Sequence, residues 1–301
     1  MKKLILVAGA SGNLGLRIVK ALTNNGVEIR AVLRSGTNPE KIKEIEQSGA
    51  RIFIVDKWNK ETLTEACNGA SCVVSALAGL REVIIAAQRE LLDAAIAAGV
   101  PRFIPSDYSL DFTKFSHGEN RNLDLRREFH QYLDKSAIAP TSIFNGAFTD
   151  MITNEMPLIF FKQKLILYWG HADYKWGLTT MDNTATYTAN VALDDASPRY
   201  LRIAGDQISP RMIRAITSEV MGIPFRLIRA GNQWMLGLLI KIARKFSLSD
   251  NNLYPAWQGM QYMHNMIDKR SKIDVLNNNR YAAMKWTTVK DVLTEYKATV
   301  K

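Results

Sequence analysis

Cysteine is nearly absent from this chain, with two in 301 residues, Cys67 and Cys72. That excludes a disulfide framework and a cysteine-rich zinc site. Histidine is almost as scarce, and His117, His130, His171 and His264 are not spaced to hold a metal. No apolar run reaches the roughly 18 residues that a membrane span needs. The opening stretch Met1–Gly9 is shorter than the apolar core of a signal peptide and runs straight into a glycine motif. These absences read as a cytoplasmic protein. No Walker motif, no G-x-S-x-G, no internal repeat and no low-complexity tract is present.

Acidic residues are what the last third lacks. Residues 1–198 hold 22 Lys/Arg against 22 Asp/Glu, whereas residues 199–301 hold 17 against 7, so the whole excess of +10 lies there. The asymmetry points to a second unit in the C-terminal part. It reads as a solvated basic face, with an anionic partner as the alternative. A nucleic-acid role rests on charge alone, because no recognition helix or aromatic RNA motif accompanies it.

What is present is an alternation of short apolar runs and helical patterns over residues 1–150, the signature of βαβ units and a parallel sheet. Strands are expected at Lys3–Ala8, Val27–Leu33, Arg51–Val55, Ser71–Ser75, Arg102–Ile104 and Thr141–Phe144. The first helix carries Leu14, Ile18, Ala21 and Leu22 on one face. A long Ala-rich helix spans Arg81–Ala98, stopped by Gly99 and Pro101, and another covers Asn120–Lys135. Beyond residue 150 the alternation breaks down, and residues 151–158 have no clear period. Short strands follow at Leu165–Tyr168, Trp176–Met181 and Tyr200–Ile203. Asp182 is expected to cap a helix reaching Leu193, and Ser209-Pro210 opens the next. The fold class is α/β: a Rossmann-type doubly wound parallel sheet with a smaller C-terminal α+β domain. The expected division is 1–155, with 176–215 partly returning to it, and 156–301.

The strongest motif is Gly9-Ala10-Ser11-Gly12-Asn13-Leu14-Gly15, placed between the first strand and the first helix. Glycines permit a tight turn and close backbone approach, and the helix N-terminus offers free N–H groups to a pyrophosphate. Gly9, Ser11, Gly12, Asn13, Leu14 and Gly15 are therefore candidate dinucleotide ligands. The second strand ends Val32-Leu33-Arg34-Ser35 without an acid. An acid there would favour the free ribose hydroxyl of NAD, whereas Arg34, helped by Ser35, suits the extra phosphate of NADP. Asp56 and the Ala76–Gly79 stretch, with Leu77 and Ala78, leave the next strands at the same edge, where open α/β sheets bind ligands. Pro105, Ser106 and Tyr108 leave the fifth strand, with Ser106 and Tyr108 as candidates to polarise a substrate oxygen. Asn145 and Phe148 leave the sixth and would flank the nicotinamide.

A short-chain dehydrogenase uses a Tyr-x-x-x-Lys pair on the helix between strands five and six. The one match, Tyr281 to Lys285, lies far beyond the sheet and is read as chance. Cys67 and Cys72 read as buried fillers. Trp234–Phe246, apolar with Lys241, Arg244 and Lys245, reads as a helix roofing a pocket, with a membrane-surface helix as the alternative. The cluster Trp257, Met260, Tyr262, Met263 and Met266 reads as core or as an adaptable apolar lining.

Together, the Gly9–Gly15 turn, Arg34, Phe103–Tyr108, Asn145–Phe148, Trp176–Tyr187 and the closing Asn278-Asn279-Arg280-Tyr281 resemble the NmrA-like, isoflavone-reductase-like branch of atypical short-chain dehydrogenases. The resemblance runs over most of the chain. It implies an NADP(H)-binding Rossmann domain and a smaller substrate domain. Reductase members of that family carry a lysine four residues before a paired Arg-Arg. Matching Arg126-Arg127 puts Asn122 at that position, where it can hold a water or a substrate oxygen but cannot act as an acid. The reading favoured is an NADP(H)-dependent oxidoreductase passing hydride to a small, largely apolar or aromatic substrate, with Ser106, Tyr108 and Asn122 at the reacting end. The alternative is a non-catalytic sensor of the NADP(H) ratio that regulates a protein partner. No metal is expected.

Overall fold

A computed structural model of the chain describes residues 2–154, 156–247 and 252–300. Glu155, within the aperiodic stretch at 151–158, lies outside the described residues. In chain order the elements begin with β1 Leu4–Ala8, α1 Asn13–Asn24, β2 Glu28–Arg34, α2 Pro39–Gln47, β3 Arg51–Val55, α3 Lys60–Cys67 and β4 Cys72–Ser75. A π-helical segment Glu82–Ala87 leads into α4 Gln88–Ala97, then β5 Arg102–Ile104, α5 Arg121–Leu133, β6 Ala139–Pro140, β7 Ser142–Phe144 and β8 Ala147–Phe148. Then come β9 Ile159–Phe160, β10 Leu165–Trp169, β11 Trp176–Thr179, α6 Met181–Leu193, β12 Tyr200–Arg202, β13 Asp206–Ile208, α7 Pro210–Met221, β14 Arg226–Gly231, α8 Gln233–Lys245, α9 Ala256–Met266 and α10 Val289–Thr299.

The chain forms two compact units interleaved in sequence. The first comprises Met1–Tyr108, Leu125–Phe144 and Thr184–Leu201; the second comprises Ser109–Asp124, Asn145–Asn183 and Arg202–Lys301.

The first unit is built on a six-stranded parallel sheet in the order β3-β2-β1-β4-β5-β6. The order turns back on itself between β1 and β4, as in a doubly wound Rossmann-type sheet. The central strand β1 is apolar throughout, Leu-Ile-Leu-Val-Ala, as a strand covered on both faces requires. Leu6, Val73 and Phe103 pack with Leu63, Leu91, Leu92 and Phe129 in one core. Local chemistry sets the helix ends: Asn38 accepts from Glu40 N and Asn59 from Thr62 N as N-caps. Gly99, at φ +70°, closes α4.

Two expectations here are corrected. The sixth strand of the sheet is Ala139–Pro140, not Thr141–Phe144. Ala139 N–H donates to Pro101 O and Thr141 N–H to Phe103 O at 3.0 Å each, with Pro140 between them contributing no donor. At Ser142 the N–H turns away to Arg199 O at 2.8 Å, and Ser142–Phe144 pairs instead with β12. The helix expected at Arg81–Ala98 is not α-helical throughout. At its junction Gln88 N–H reaches Val83 O and Ile85 O, and the Gln88 side-chain amide takes the skipped Ile84 carbonyl at 3.1 Å.

The second unit holds two three-stranded sheets, β14-β10-β9 and β13-β11-β8. Its core joins Ile166, Trp176, Leu178, Ile213, Met266 and Leu293. Ser209 caps α7, with Pro210 in the first turn, as the sequence indicates, and Gly222 at φ +73° ends it. The cap of α6 is corrected from Asp182 to Thr180, whose hydroxyl accepts from Asn183 N at 3.1 Å; Asp182 lies in the first turn. The tail stitches itself to the β12–β13 connection. Asn277 Oδ1 accepts from Arg202 N at 2.8 Å, and the Asn278 side chain pairs with both N–H and C=O of Ala204 at 3.2 and 2.7 Å. Tyr281 closes a short 3-10 turn here, and Lys285 O accepts from Asn183; the pair shares no helix.

Candidate functional site

In the first unit, the turn after β1 is built from backbone that only glycine permits. Gly9 has φ +84°, and a Cβ on it would lie 2.6 Å from Ala76 O, just past the end of β4. A Cβ on Gly15 would collide with the Gly9 carbonyl, so the third glycine lets α1 start directly against the turn. Gly12 N–H closes the turn onto Gly9 O at 3.0 Å. Gly12 is the N-cap of α1, yet no side chain caps that helix. Its first-turn N–H groups and the positive end of its dipole thus face outward beside exposed Ser11 and Asn13, with Leu14 half-buried. This is the cradle that a phosphate group fits.

Arg34 ends β2 exposed, and Thr37 pins its carbonyl with N–H and hydroxyl at 3.1 and 2.7 Å. Ser35 N–H extends the ladder to Val55 O at 2.9 Å. The Arg34 guanidinium lies 5.2 Å from the ring centre of Trp58, which follows β3. Trp58 is itself held by its indole N–H, which donates to Ala87 O at 2.8 Å. Asp56 is exposed at the same sheet edge.

Leu77 and Ala78 follow β4, and Pro105 and Ser106 follow β5. Ser106 joins the two ends. Its hydroxyl donates to Leu77 O at 2.6 Å, its N–H donates to Gln88 Oε1 at 2.9 Å, and its carbonyl accepts from Arg126 Nε at 3.0 Å. Tyr108 is buried, and burial pushes its phenol above the usual tyrosine range, with the Thr188 hydroxyl acting in the opposite direction. It therefore holds its proton at neutral pH.

Between Ser106 and Tyr108 sits Asp107, fully buried. His130 Nε2 lies 2.7 Å from Asp107 Oδ2, and the Ser142 hydroxyl donates to the same oxygen at 2.6 Å. Arg199 donates to Ser142 Oγ at 2.6 Å and approaches His130 Nδ1 at 3.2 Å. Arg199 occupies Nδ1, so Nε2 carries the proton given to Asp107. Burial opposes the Asp107 charge, but His130, Ser142 and the Arg126 charge outweigh it and hold the carboxyl below its ordinary range. Ser142 gives its proton to the aspartate rather than to the histidine, so this is not a nucleophilic triad.

The second unit carries the other candidates. Asn122 is buried in the first turn of α5; its Oδ1 accepts from Arg121 Nε at 3.0 Å and its Nδ2 donates to Leu253 O at 3.1 Å. Both ends of its amide are thus engaged. Asn145 is fully buried, and its backbone is held by Ser109 O and by the Thr179 hydroxyl. Among the described residues neither its Nδ2 nor its Oδ1 has a hydrogen-bond partner. Leaving such a pair unsatisfied costs about 1–3 kcal/mol per group, so the amide fits a polar ligand group or a water. Phe148 is half-buried at the end of β8. An amide cluster beside the start of α5 was not foreseen: Asn120 bonds both Gln258 and Asn265 at 2.8 and 3.0 Å, all buried. Nor were Trp58, Gln88 and the partners of Asp107, which no local spacing announces.

Over residues 1–293 the sequence matches the NmrA-like family. The chain belongs to this family. Pinoresinol reductase 1 of Arabidopsis thaliana is 30% identical over 212 residues, covering 64% of this chain and 65% of that protein. The chain thus aligns with just under two thirds of that relative's length. A solved structure of AtPrR2 with NADP+ and (+)pinoresinol superposes with TM-score 0.84 at 19% identity, covering 98% of this chain and 99% of that one. The binary complex of leucoanthocyanidin reductase with NADPH from Vitis vinifera gives 0.81 at 17%, with 98% and 99% covered. These likenesses establish the isoflavone-reductase-like fold for this NmrA-like chain. Among the described residues, no helix is long and apolar enough to cross a membrane, and no cluster of three or more His, Cys, Asp or Glu could hold a metal.

Proposed function

We propose that this NmrA-like chain is an NADP(H)-dependent reductase of a small, aromatic or largely apolar substrate, working in the cytoplasm. The observation that carries the reading is the first unit's phosphate cradle, Gly9 to Gly15 opening an uncapped α1, together with an arginine at the end of β2 where an acid would select NAD. The relatives named above support it: one is a pinoresinol reductase, and the two neighbouring structures hold NADP+ or NADPH. The two free, buried cysteines are compatible with a reducing compartment.

The first unit is assigned the cofactor and the second the substrate. Ser11, Gly12, Asn13 and Leu14 would hold the pyrophosphate, and Arg34 with Ser35 the extra phosphate; Asp56, Leu77, Ala78 and Pro105 line the strand ends. The bound nicotinamide supplies a hydride. Ser106 spends its hydroxyl hydrogen on Leu77, so its part is to fix the ends of β4 and β5 rather than to polarise an acceptor. Tyr108 keeps its proton and serves as a donor only where a ligand reaches it. Asn122 orients Arg121 and the Leu253 carbonyl and moves no proton. Asn145 offers its unpaired amide to a polar group of a ligand.

The test is a paired titration of purified protein with NADPH and NADH, followed by addition of lignans, isoflavones, quinones and enones while absorbance of the reduced nicotinamide is read. NADPH binding tighter than NADH, with oxidation by one of these acceptors, is the expected result. No binding of either nucleotide overturns the cradle. Tight binding without turnover overturns the catalytic part and leaves a redox sensor.

A further inference from the structure

We infer that the outward face of α8 is a docking surface for an anionic lipid membrane. The inference does not depend on the reductase reading. Asn232 caps α8 through Met235 N at 2.9 Å, and Leu236 and Ile240 are buried against the second unit. A surface helix anchored this way ordinarily presents polar residues to water. Here the opposite face carries Met235, Leu238, Leu239 and Ile242, at spacings of three and four, all exposed. Trp234 and Phe246 flank them at the two ends of the helix, 73% and 76% exposed. Together these side chains leave an apolar face in contact with water, which soluble chains rarely do without a partner for it.

Charge selects the occupant. The helix contains no acid, and its three cations, Lys241, Arg244 and Lys245, lie in its last two turns. Lys241 and Lys245 flank the Leu238–Ile242 edge and are exposed. Among the described residues neither makes an ion pair, whereas Arg244 lies 5.2 Å from the Trp257 ring. The entire net charge of +10 resides in residues 199–301. A second copy on this face would bring like charges together. An anionic bilayer satisfies both features: Trp, Phe and Leu enter the acyl boundary, and lysines meet the headgroups. No described helix spans a membrane, so the association is peripheral.

The test mixes the full chain with phosphatidylcholine vesicles, with and without phosphatidylserine, and measures co-sedimentation. The expected result is binding to the anionic vesicles, weakened by salt and reduced roughly tenfold or more by Lys241→Glu with Lys245→Glu. Trp234→Ser with Leu238→Ser and Ile242→Ser should abolish it while a cooperative thermal transition is retained, since the buried anchors Leu236 and Ile240 are untouched. Equal binding to neutral vesicles, or binding unaffected by either set, overturns the proposal. So does a dimer in sedimentation velocity that the serine variant dissociates, which would give the face to a second copy. Binding of an acidic protein without vesicle binding overturns it equally.

Discussion

The guanidinium of Arg34 rests 5.2 Å from the ring centre of Trp58, and Trp58 is fixed in turn by Ala87 O. A cation over an aromatic face at an exposed site is worth about 0.5–1 kcal/mol, and it also removes rotamer freedom from a charge that would otherwise pay for its own ordering. Arg34→Asp should reverse the preference for NADPH over NADH. Trp58→Leu keeps the charge but releases it, and should lower the preference by roughly twofold to fivefold. Dissociation constants for both nucleotides, measured calorimetrically, decide the matter. An unchanged ratio in Arg34→Asp would remove Arg34 from the phosphate.

The glycines predict a contrast that stability measurements can read. Gly15→Ala meets the Gly9 carbonyl, which is backbone and cannot step aside. Gly26→Ala, at φ +68° with nothing within 4 Å, meets only the strain of a left-handed residue. We expect Gly26→Ala to cost about 1–2 kcal/mol and Gly15→Ala to cost more, with nucleotide binding lost in the second alone. Urea midpoints and NADPH titrations of the two variants test this. Intact NADPH binding in Gly15→Ala would mean the turn is not the cradle.

Both thiols should be inert. Burial pushes Cys67 and Cys72 up to about 12 each, so at pH 8 the reactive thiolate is about one part in ten thousand. Iodoacetamide at that pH is expected to label neither in the native protein and both in urea, as mass spectrometry would show. Rapid native labelling of either would mean that α3 or β4 opens readily.

Most of the parallel sheet was legible because its strands are short apolar runs, and β1, β2 and β3 are followed at once by Gly9, Ser35 and Asp56. The glycine turn that opens α1 was legible for the same local reason: its glycines are spaced along seven consecutive residues. The sixth strand was misread because an apolar run, Thr141–Phe144, was a better local signal than Ala139-Pro140, yet pairing follows the backbone donors. The cap of α6 went to Asp182 by residue type, while the geometry used Thr180. The network around Asp107 was invisible, because Ser142 and Arg199 come from 35 and 92 positions away and only the fold assembles them. The bonds of Ser106 to Leu77, Gln88 and Arg126 are equally long-range, so its place at the end of β5 was legible and its partners were not.

That network makes a pH prediction with a definite sign. Asp107 is buried, and its partners hold its folded pKa below the ordinary 3.8. A carboxyl depressed by folding contributes stability above its unfolded value, and the contribution is lost as pH falls through the lower folded value. Asp107→Asn removes a buried carboxylate that accepts from His130 and Ser142 and should cost about 1.5–3 kcal/mol at pH 7. The gap to the wild type should narrow only below about pH 4, where the unfolded chain begins to take up the proton that native Asp107 refuses. Urea unfolding of both proteins between pH 3 and pH 7 measures the gap directly. If it were the same at both ends of that range, folding would leave the Asp107 pKa unshifted, and a gap that widened as pH fell would mean that burial keeps the carboxyl protonated.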